Sequence, residues 1–484
     1  MQINLHIRII CCTFAPELPS KEVLLRQLQK SLTVAKDLST ERLKDYSQGC
    51  KHKKEHLSSQ KYMHMRKRDF DKIKASPSWA FNQDRSTNKW THGYHRYPAK
   101  FLPNVVEKLI DLYHPQEGGM IADLFAGCGT TLVEAKAHGY ASIGTDINPV
   151  ATLITRVKTT PIDPIRLETE YNAFVAKFTT YDPAAFIDMP IHKRLDYWFK
   201  PEQKYKVAFL YQCANEETDD KIKEFFLVAI SHILKNCSRW LQSSTKPQVD
   251  KVKPDVEPFG AFEQHCQQMM QSNKLFYEHL QTHNFFDVPC RIIEGDARHT
   301  GIEDTSIDTI ITSPPYVTSY EYADIHQLTG YWMELFDDLA KFRQKFIGTS
   351  YSGKTSLEVS GSKLATEIIK ALDEKSHHIA RNVATYFNDL NQVAEEMARI
   401  LKDGGYACVV IGNTTIKEVQ IKSAEVFFDF LRGAGLKEKK IIKRNIPYKL
   451  MPTLRDKNTG RFTTLDNKDC KKVYPNEYII IMQK

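Results

Sequence analysis

Two short segments of the chain carry residue types that suit chemistry at an amine. The sequence Thr-Ser-Pro-Pro-Tyr at residues 312–316 ends an apolar run at 307–311, and a glycine-containing loop spans residues 123–131. Adjacent prolines have no backbone N–H and a fixed φ, so a strand must stop there and the carbonyls of Ser313 and Pro314 project from its end. An isolated Ser-Pro-Pro-Tyr is more often a plain surface turn. The glycine loop is what favours a reactive site.

The glycine loop is accompanied by acids at the ends of predicted strands. The pattern Asp-x-Phe-x-Gly-x-Gly at residues 123–129 follows a strand and opens a helix, so its backbone can approach a ligand that also faces the helix N-terminus. Asp146 ends the next strand, where a carboxylate can bind ribose hydroxyls, and Asp296 ends a third strand and could bind an adenine amine. These acids favour an adenosine-containing ligand. A dinucleotide dehydrogenase stays open, although Leu132 replaces the third glycine of its fingerprint.

Strands and helices alternate around these residues. The pattern predicts seven strands, at residues 120–125, 141–147, 291–295, 307–311, 406–412, 440–444 and 477–481. Helices are predicted between them, at residues 104–113, 130–137, 386–401 and 423–431. Alternation of this kind implies a parallel sheet. We therefore predict an α/β fold with a Rossmann-like seven-stranded sheet and a large helical insertion.

The chain divides into four predicted regions. Residues 1–78 form a basic extension that is poorly structured or helical, and residues 79–150 form the cofactor-binding half of the catalytic domain. Residues 151–288 form a helical insertion, and residues 289–484 form the catalytic half. A polar insertion at about 320–381 interrupts the last region, and either insertion, or both, could recognise the target. Met63 or Met65 could be the natural start.

Composition limits the class of protein. A chain of 484 residues is too long for a single compact core, and a hydrophobic content of 42% is ordinary for a globular protein. The net charge of +8 favours a polyanionic partner without demanding one. Because the chain shows neither a membrane span nor a secretory signal, we expect a cytoplasmic protein without a membrane partner. The ten cysteines form no C-x-x-C pair, so we predict neither a disulfide framework nor a metal site.

Together, the motifs resemble those of the S-adenosylmethionine-dependent DNA amino-methyltransferases, particularly the branch that modifies cytosine N4. The resemblance covers most of residues 90–484, with His95–Phe101 similar to the cofactor-closing motif. It implies S-adenosyl-L-methionine as cofactor and double-stranded DNA as substrate, and it allows a cognate restriction endonuclease as a partner. It implies catalytic roles for Ser313, Pro314, Pro315 and Tyr316. The resemblance and the loop chemistry assign the cofactor to Tyr97, Pro98, Lys100, Asp123, Phe125, Ala126, Gly127, Gly129, Thr130, Asp146, Asp296 and Ala297.

Amine chemistry suggests a direct transfer. Hydrogen bonds from a base amine to Ser313 Oγ and the Pro314 carbonyl would pyramidalise its nitrogen, and stacking of the flipped base on Tyr316 would contribute about 1–3 kcal/mol. Cys290 follows a proline but lacks the Pro-Cys-Gln context of a cytosine C5 nucleophile, so no covalent intermediate is expected. Adenine N6, an RNA amine and a catalytically silent regulator that binds the cofactor or DNA remain alternatives. The intact catalytic turn favours activity.

Basic residues supply the expected DNA contacts, because Lys and Arg neutralise backbone phosphates. One candidate segment runs from Lys51 to Lys74. The other candidates lie in the loop between the last two strands and in the helical insertion, at Arg444, Lys449, Arg455, Lys457, Arg461, Arg239 and Lys246.

Overall fold

The computed structural model describes most of the chain after residue 68. The described residues are 69–81, 88–317, 321–349, 351, 356–446, 454–456, 462–463, 466–472 and 476–484. Asp69–Lys484 forms one compact unit. The predicted extension up to residue 68, including Met63 and Met65, lies outside the described residues.

Seven strands form the central sheet, and five shorter strands lie outside it in the described part of the chain. The strands in the described part of the chain are β1 (Met120–Asp123), β2 (Ala141–Asp146), β3 (Cys290–Glu294), β4 (Ile307–Thr312), β5 (Leu401–Ile411), β6 (Thr414–Ile416), β7 (Val419–Ile421), β8 (Lys437–Asn445), β9 (Leu454–Asp456), β10 (Phe462–Thr463), β11 (Cys470–Lys472) and β12 (Asn476–Gln483). The strand order in the central sheet is β3-β2-β1-β4-β5-β12-β8. The predicted Rossmann-like seven-stranded sheet is thus confirmed.

The sheet is mixed rather than wholly parallel. Strands β1 to β5 run parallel to one another, whereas β12 runs antiparallel to both β5 and β8. No helix connects β8 to β12 in the described residues, so β12 lies beside β8 and runs in the opposite direction. The short strands form a hairpin of β6 and β7 and a three-stranded sheet of β10, β9 and β11.

Helices cover the sheet and fill the predicted insertions. They are α1 (Pro103–Tyr113), α2 (Thr130–Ala137), α3 (Pro149–Thr159), α4 (Pro164–Ala176), α5 (Lys193–Trp198), α6 (Pro201–Asn215), α7 (Asp220–Cys237), α8 (Pro258–Thr282), α9 (Tyr322–Ile325), α10 (Gln327–Trp332), α11 (Leu339–Gln344), α12 (Lys363–Asp373), α13 (His377–Ile400) and α14 (Ser423–Gly433). Short 3-10 turns lie at Phe70–Lys72, Pro77–Trp79, Trp90–Gly93 and Lys177–Thr180. None of the described helices combines the length and apolar character needed to span a bilayer.

The two predicted insertions share an apolar core that is distinct from the core beneath the sheet. Trp198 of α5 stacks on Trp240 with ring centroids 4.9 Å apart, and Trp332 of α10 is buried in the same cluster. The helices before β3 and those after β4 are therefore packed together. The boundaries assigned to the four regions stay predictions.

Residues 69–81 pack on β8 and α14. Ala75 forms a parallel bridge with Lys443, and the Ser76 backbone N–H donates to the Lys443 carbonyl at 2.7 Å. Phe70 is buried against Phe428, with ring centroids 5.7 Å apart. Part of the predicted extension, from Asp69 onward, thus belongs to the packed unit.

The topology gathers the predicted site at one edge of the sheet. The carboxyl ends of parallel strands meet at the same edge, and ligands bind there where the strand order reverses. In this sheet the order reverses between β1 and β4, whose carboxyl ends carry the glycine loop and the Ser-Pro-Pro-Tyr turn.

Candidate active site

The glycine loop is folded back on the end of β2. Asp146 Oδ2 accepts a hydrogen bond from the Gly127 N–H at 2.8 Å, and Asp146 Oδ1 accepts one from the Asn148 N–H at 2.9 Å. Burial raises the pKa of Asp146 to about 6, against the lowering effect of these N–H groups. Each carboxylate oxygen keeps a second lone pair, so the side chain can still accept a hydrogen bond from a hydroxyl group.

Tyr97 lies directly over this loop. Gly127 has a φ of +51°, and a Cβ added there would lie 3.3 Å from Tyr97 Cε1. The absence of a side chain at Gly127 therefore permits both the turn and the approach of the ring. Burial first, and then the charge of Asp146, raise the pKa of the Tyr97 hydroxyl well above its usual value. The tyrosine hydroxyl is thus a neutral donor at the loop.

The remaining loop residues line the same corner. Phe125 donates its N–H to Asp123 Oδ1 at 3.0 Å, and Ala126 donates its N–H to the Thr145 carbonyl at 3.0 Å. Gly129 precedes α2 in a left-handed conformation, and Thr130 begins that helix. The N-terminal amides of α2 thus face the loop, where they favour a negative charge.

Two lysines lie behind the loop. Lys158 is fully buried and donates to the Cys128 carbonyl at 2.9 Å. Lys100, which lies two residues after Pro98 in the predicted cofactor motif, donates from Nζ to Asn88 Oδ1 at 3.2 Å. Burial, and then the charge of Lys158, lower the pKa of Lys100 to about 8. The corner therefore carries positive charge that suits a carboxylate ligand.

Asp296 is held by an arginine that the sequence analysis did not single out. Arg298 Nε and Nη2 donate to Asp296 Oδ1 and Oδ2 at 2.9 and 2.6 Å, and Arg298 Nη1 reaches Asp389 Oδ1 at 2.9 Å. Burial alone would raise the pKa of Asp296, but the hydrogen bonds and charge of Arg298 lower it. Ala297 is buried beside it. Asp296 therefore stays ionised in a fixed orientation at the end of β3.

The Ser313 hydroxyl is oriented by the neighbouring strand. Ser313 Oγ donates to the Val410 carbonyl of β5 at 2.9 Å. Since the hydroxyl proton is used there, the lone pairs of Oγ are available to accept a hydrogen bond from another group. Next along the turn, the Pro315 carbonyl accepts a hydrogen bond from Tyr386 at 3.0 Å, and Pro314 is buried. Two neighbouring elements thus hold the turn in place.

Tyr316 is anchored by residues of the last two sheet strands. Its hydroxyl donates to Glu477 Oε2 at 3.0 Å, and a Cβ added at Gly412 would lie 2.9 Å from Tyr316 Cε2. Glu477 also pairs with Arg444, whose Nε donates to the Trp79 carbonyl at 2.8 Å. Burial, and then Glu477, raise the pKa of Tyr316 well above its usual value. The ring is therefore neutral and fixed.

The DNA contact predicted for Arg444 does not fit this placement. The residue is only 3% exposed, and its guanidinium is engaged by Glu477 and the Trp79 carbonyl, so it is not available to a phosphate. The guanidinium of Arg239 donates to the Tyr197 carbonyl, and Lys246 is exposed. Lys449, Lys457 and Arg461 lie outside the described residues. The backbone of Arg455 is described, but its side chain is not.

A polar chain ties the predicted cofactor-closing motif to the helical insertion. His95 Nδ1 donates to the Arg96 carbonyl at 2.8 Å, so its Nε2 accepts from Ser231 Oγ of α7 at 2.9 Å. Ser231 Oγ in turn lies 2.7 Å from Thr329 Oγ1 of α10. Burial is the main cause that lowers the pKa of His95 to about 3. This contact could not be predicted from the sequence, because Ser231 lies 136 residues from His95 in a helix whose pattern is typical of a buried helix.

One cluster of carboxylates in the described residues joins the segment before α1 to α14. Ligand oxygens of Asp69, Asp71 and Glu425 lie within 4.8 Å of one another. Lys422 Nζ is 3.4 Å from Asp69 Oδ1 and 3.1 Å from Asp71 Oδ2, so an ammonium group already offsets their charge. We assign no metal to this cluster, and the expected absence of a metal site stays a prediction.

A family model described as DNA methylase matches residues 37–156 and 307–484, which is more than half of the chain. The chain belongs to this family of DNA methylases. The family depends on S-adenosyl-L-methionine, so the predicted cofactor is confirmed, and the protein methylates bases in DNA. The match leaves out residues 157–306, which contain most of the helical insertion.

Two curated relatives are similar to this DNA methylase over most of their length. The Type II methyltransferase M.MvaI of Kocuria varians is 27% identical over 395 residues, covering 76% of this chain and 87% of the relative. The Type II methyltransferase M.MjaII of Methanocaldococcus jannaschii is 23% identical over 388 residues, covering 60% of this chain and 69% of the relative. A solved SAM-dependent methyltransferase from Methanosarcina mazei is 10% identical, covers 78% of this chain and 96% of its own, and has a TM-score of 0.27.

The residues of the DNA methylase at this edge fit the cofactor chemically. Asp146 can accept hydrogen bonds from ribose hydroxyls, and Asp296 can accept one from an adenine amine. Lys100 and the N-terminus of α2 offer positive charge to a carboxylate. The donors and acceptors at the glycine loop therefore match the groups of S-adenosyl-L-methionine.

Proposed function

We propose that this DNA methylase transfers the methyl group to the exocyclic N4 atom of cytosine in duplex DNA. The observation that carries the proposal is the hydrogen bond from Ser313 Oγ to the Val410 carbonyl at 2.9 Å. It leaves the serine oxygen as an acceptor, which is the role that a base amine requires. The resemblance of Ser313–Tyr316 and His95–Phe101 to the cytosine N4 branch supports the choice of base.

The proposed mechanism assigns one task to each residue of the turn. S-adenosyl-L-methionine, when bound, supplies an electrophilic methyl group. Ser313 Oγ and the Pro314 carbonyl accept hydrogen bonds from the two amine N–H groups, so the nitrogen becomes pyramidal and its lone pair is free to react. Once the new N–C bond has formed, the nitrogen releases one of its two protons. Pro315 fixes the turn, and Tyr316 stacks on a base that has left the duplex. Positioning supplies most of the rate enhancement.

Glu477 and Arg444 act in this proposal as positioning residues for Tyr316. The tyrosine hydroxyl donates to Glu477, and the buried guanidinium of Arg444 neutralises that carboxylate. A stacking ring with few accessible orientations costs less entropy when the base binds. The pair therefore supports the ring rather than contacting the base.

We propose the cofactor contacts on the same basis. Asp146 binds the ribose and Asp296 the adenine, with Ala297 beside it. Phe125, Ala126, Gly127, Gly129 and Thr130 surround the methionine moiety, while Tyr97, Pro98 and Lys100 close the pocket over it. Asp123 shapes the loop through the Phe125 N–H.

We further propose that a restriction endonuclease of the same specificity accompanies the enzyme, because the relatives are named Type II methyltransferases. The recognised sequence would be read by the helical insertion and by the segment after the catalytic turn.

Modification-sensitive sequencing of DNA from a methylation-deficient host that expresses the enzyme tests the proposal. We expect N4-methylcytosine in one sequence context, and none when the host carries Ser313→Ala. N6-methyladenine in its place would overturn the base assignment and leave the reaction class intact.

A further inference from the structure

The orientation of Asn148 fixes the protonation of His326. Asn148 caps α3, and its Oδ1 accepts the Val150 N–H at 3.1 Å. The other side-chain atom, Nδ2, must therefore be the donor in the 2.8 Å contact with His326 Nδ1. Since Nδ1 accepts, the proton of the neutral imidazole is on Nε2.

His326 is neutral, and its remaining N–H is buried without a partner. The residue is 3% exposed, and no acceptor among the described residues reaches Nε2. Burial lowers the pKa of His326 to about 4, so the ring does not gain a second proton at neutral pH. A buried donor that lacks an acceptor is costly, which suggests that a ligand supplies the acceptor.

His326 contacts residues that line the proposed cofactor pocket. Asn148 lies two residues after Asp146 and donates its own N–H to that carboxylate. On the other side, the His326 ring lies 5.0 Å from the Tyr97 ring, which covers Gly127. His326 is therefore connected through Asn148 to the proposed ribose acid, and its ring packs beside Tyr97, which covers the glycine loop.

We propose that His326 is an additional cofactor-binding residue whose Nε2–H donates to an oxygen of S-adenosyl-L-methionine, and that Asn148 is the positioning residue that selects this tautomer. The proposal rests on the proposed location of the cofactor. Two oxygens of the cofactor have the required chemistry, a carboxylate oxygen of the methionine moiety and a ribose hydroxyl oxygen.

Two amide substitutions separate the proposed contact from simple packing. In His326→Gln the carbonyl can accept from Asn148 while the amide N–H occupies the place of Nε2–H. In His326→Asn the shorter side chain reaches Asn148 but has no donor at that place. Isothermal titration calorimetry should show binding of S-adenosyl-L-methionine about tenfold weaker in His326→Asn and within about threefold of wild type in His326→Gln. Thermal melting of the full chain checks that both variants are folded.

Equal affinities for the two variants, whether high or low, would overturn the proposal, because the ligand would then not sense the donor. If wild type itself did not bind the cofactor, the proposed cofactor site would fail as well, and the two failures are thus distinguishable. Titration with 5′-methylthioadenosine, which keeps the ribose but lacks the carboxylate, identifies the oxygen. A tenfold difference that persists assigns the contact to the ribose, and one that disappears assigns it to the carboxylate.

Discussion

Thr312 and Asp123 join the ends of two neighbouring strands through a hydrogen bond of 2.6 Å from Thr312 Oγ1 to Asp123 Oδ1. Asp123 begins the glycine loop, and Thr312 immediately precedes Ser313. Burial raises the pKa of Asp123, and donors that include Thr131 and Thr312 oppose the rise. This one contact therefore couples the proposed cofactor loop to the proposed catalytic turn.

Thr312→Val keeps the shape of this side chain and removes its donor. We expect a loss of about 1–3 kcal/mol in the free energy of unfolding, because a buried carboxylate loses a partner. Cofactor affinity and turnover should fall together. Denaturant titration, calorimetry and methyl-transfer rates measure the three effects. Thr312→Ser, which keeps the hydroxyl, is the matched control; a valine variant as stable and active as wild type would contradict the coupling.

Tyr316→Phe removes only the hydroxyl that Glu477 holds. A hydrogen bond to a charged group contributes about 1.5–3 kcal/mol, and about 1.4 kcal/mol is a factor of ten, so we expect kcat to fall at least about tenfold. Cofactor affinity measured by calorimetry should not change. Tyr316→Ala also removes the stacking surface and should be slower still. If the phenylalanine variant turned over at the wild-type rate, Glu477 would have no positioning role.

Affinity for the cofactor should depend on pH through Asp146. The pKa of Asp146 is about 6, so the carboxylate is protonated below that pH and ionised above it. Ribose hydroxyls donate more strongly to the ionised form, and affinity should therefore rise as the pH increases through about 6. Calorimetry across this range measures the step. Asp146→Asn should bind at least about tenfold more weakly and without the step; an unchanged affinity would remove Asp146 from the site.

Binding to duplex DNA should weaken with salt, because phosphate contacts release counterions. The joint neutralisation of Arg455, Lys457 and Arg461 to glutamine should flatten the plot of log affinity against log salt concentration. The charge-conserving variant with Arg455→Lys, Lys457→Arg and Arg461→Lys is the control and should keep the wild-type slope. The same slope in both triple variants would show that this loop does not contact the backbone.

The sheet could be predicted from the sequence because each strand has a short apolar run bounded by turn residues. The positions of Asp146 at the end of β2 and of Ser313 just after β4 could be predicted for the same reason, since a strand end has a definite place in a parallel sheet. The antiparallel direction of β12 was not predicted, because direction depends on the connection and leaves no periodic signal.

The supporting contacts were beyond sequence reasoning. Ser231 and Glu477 lie in a helix and a strand whose residues look like ordinary core or edge positions, and their partners are far away in the chain. Arg444 shows the opposite error. A basic residue in a basic loop was read as a phosphate contact, whereas the fold uses its charge to neutralise Glu477.

Mass spectrometry of nucleosides most directly tests the central claim, that Ser313 and the turn around it direct methyl transfer to cytosine N4. Duplex DNA that contains all sequence contexts is treated with the enzyme and isotopically labelled S-adenosyl-L-methionine, then digested. We predict labelled N4-methylcytosine with wild type, and its loss with Ser313→Ala although cofactor affinity is retained. Labelled N6-methyladenine without N4-methylcytosine, or full activity of Ser313→Ala, would contradict the claim.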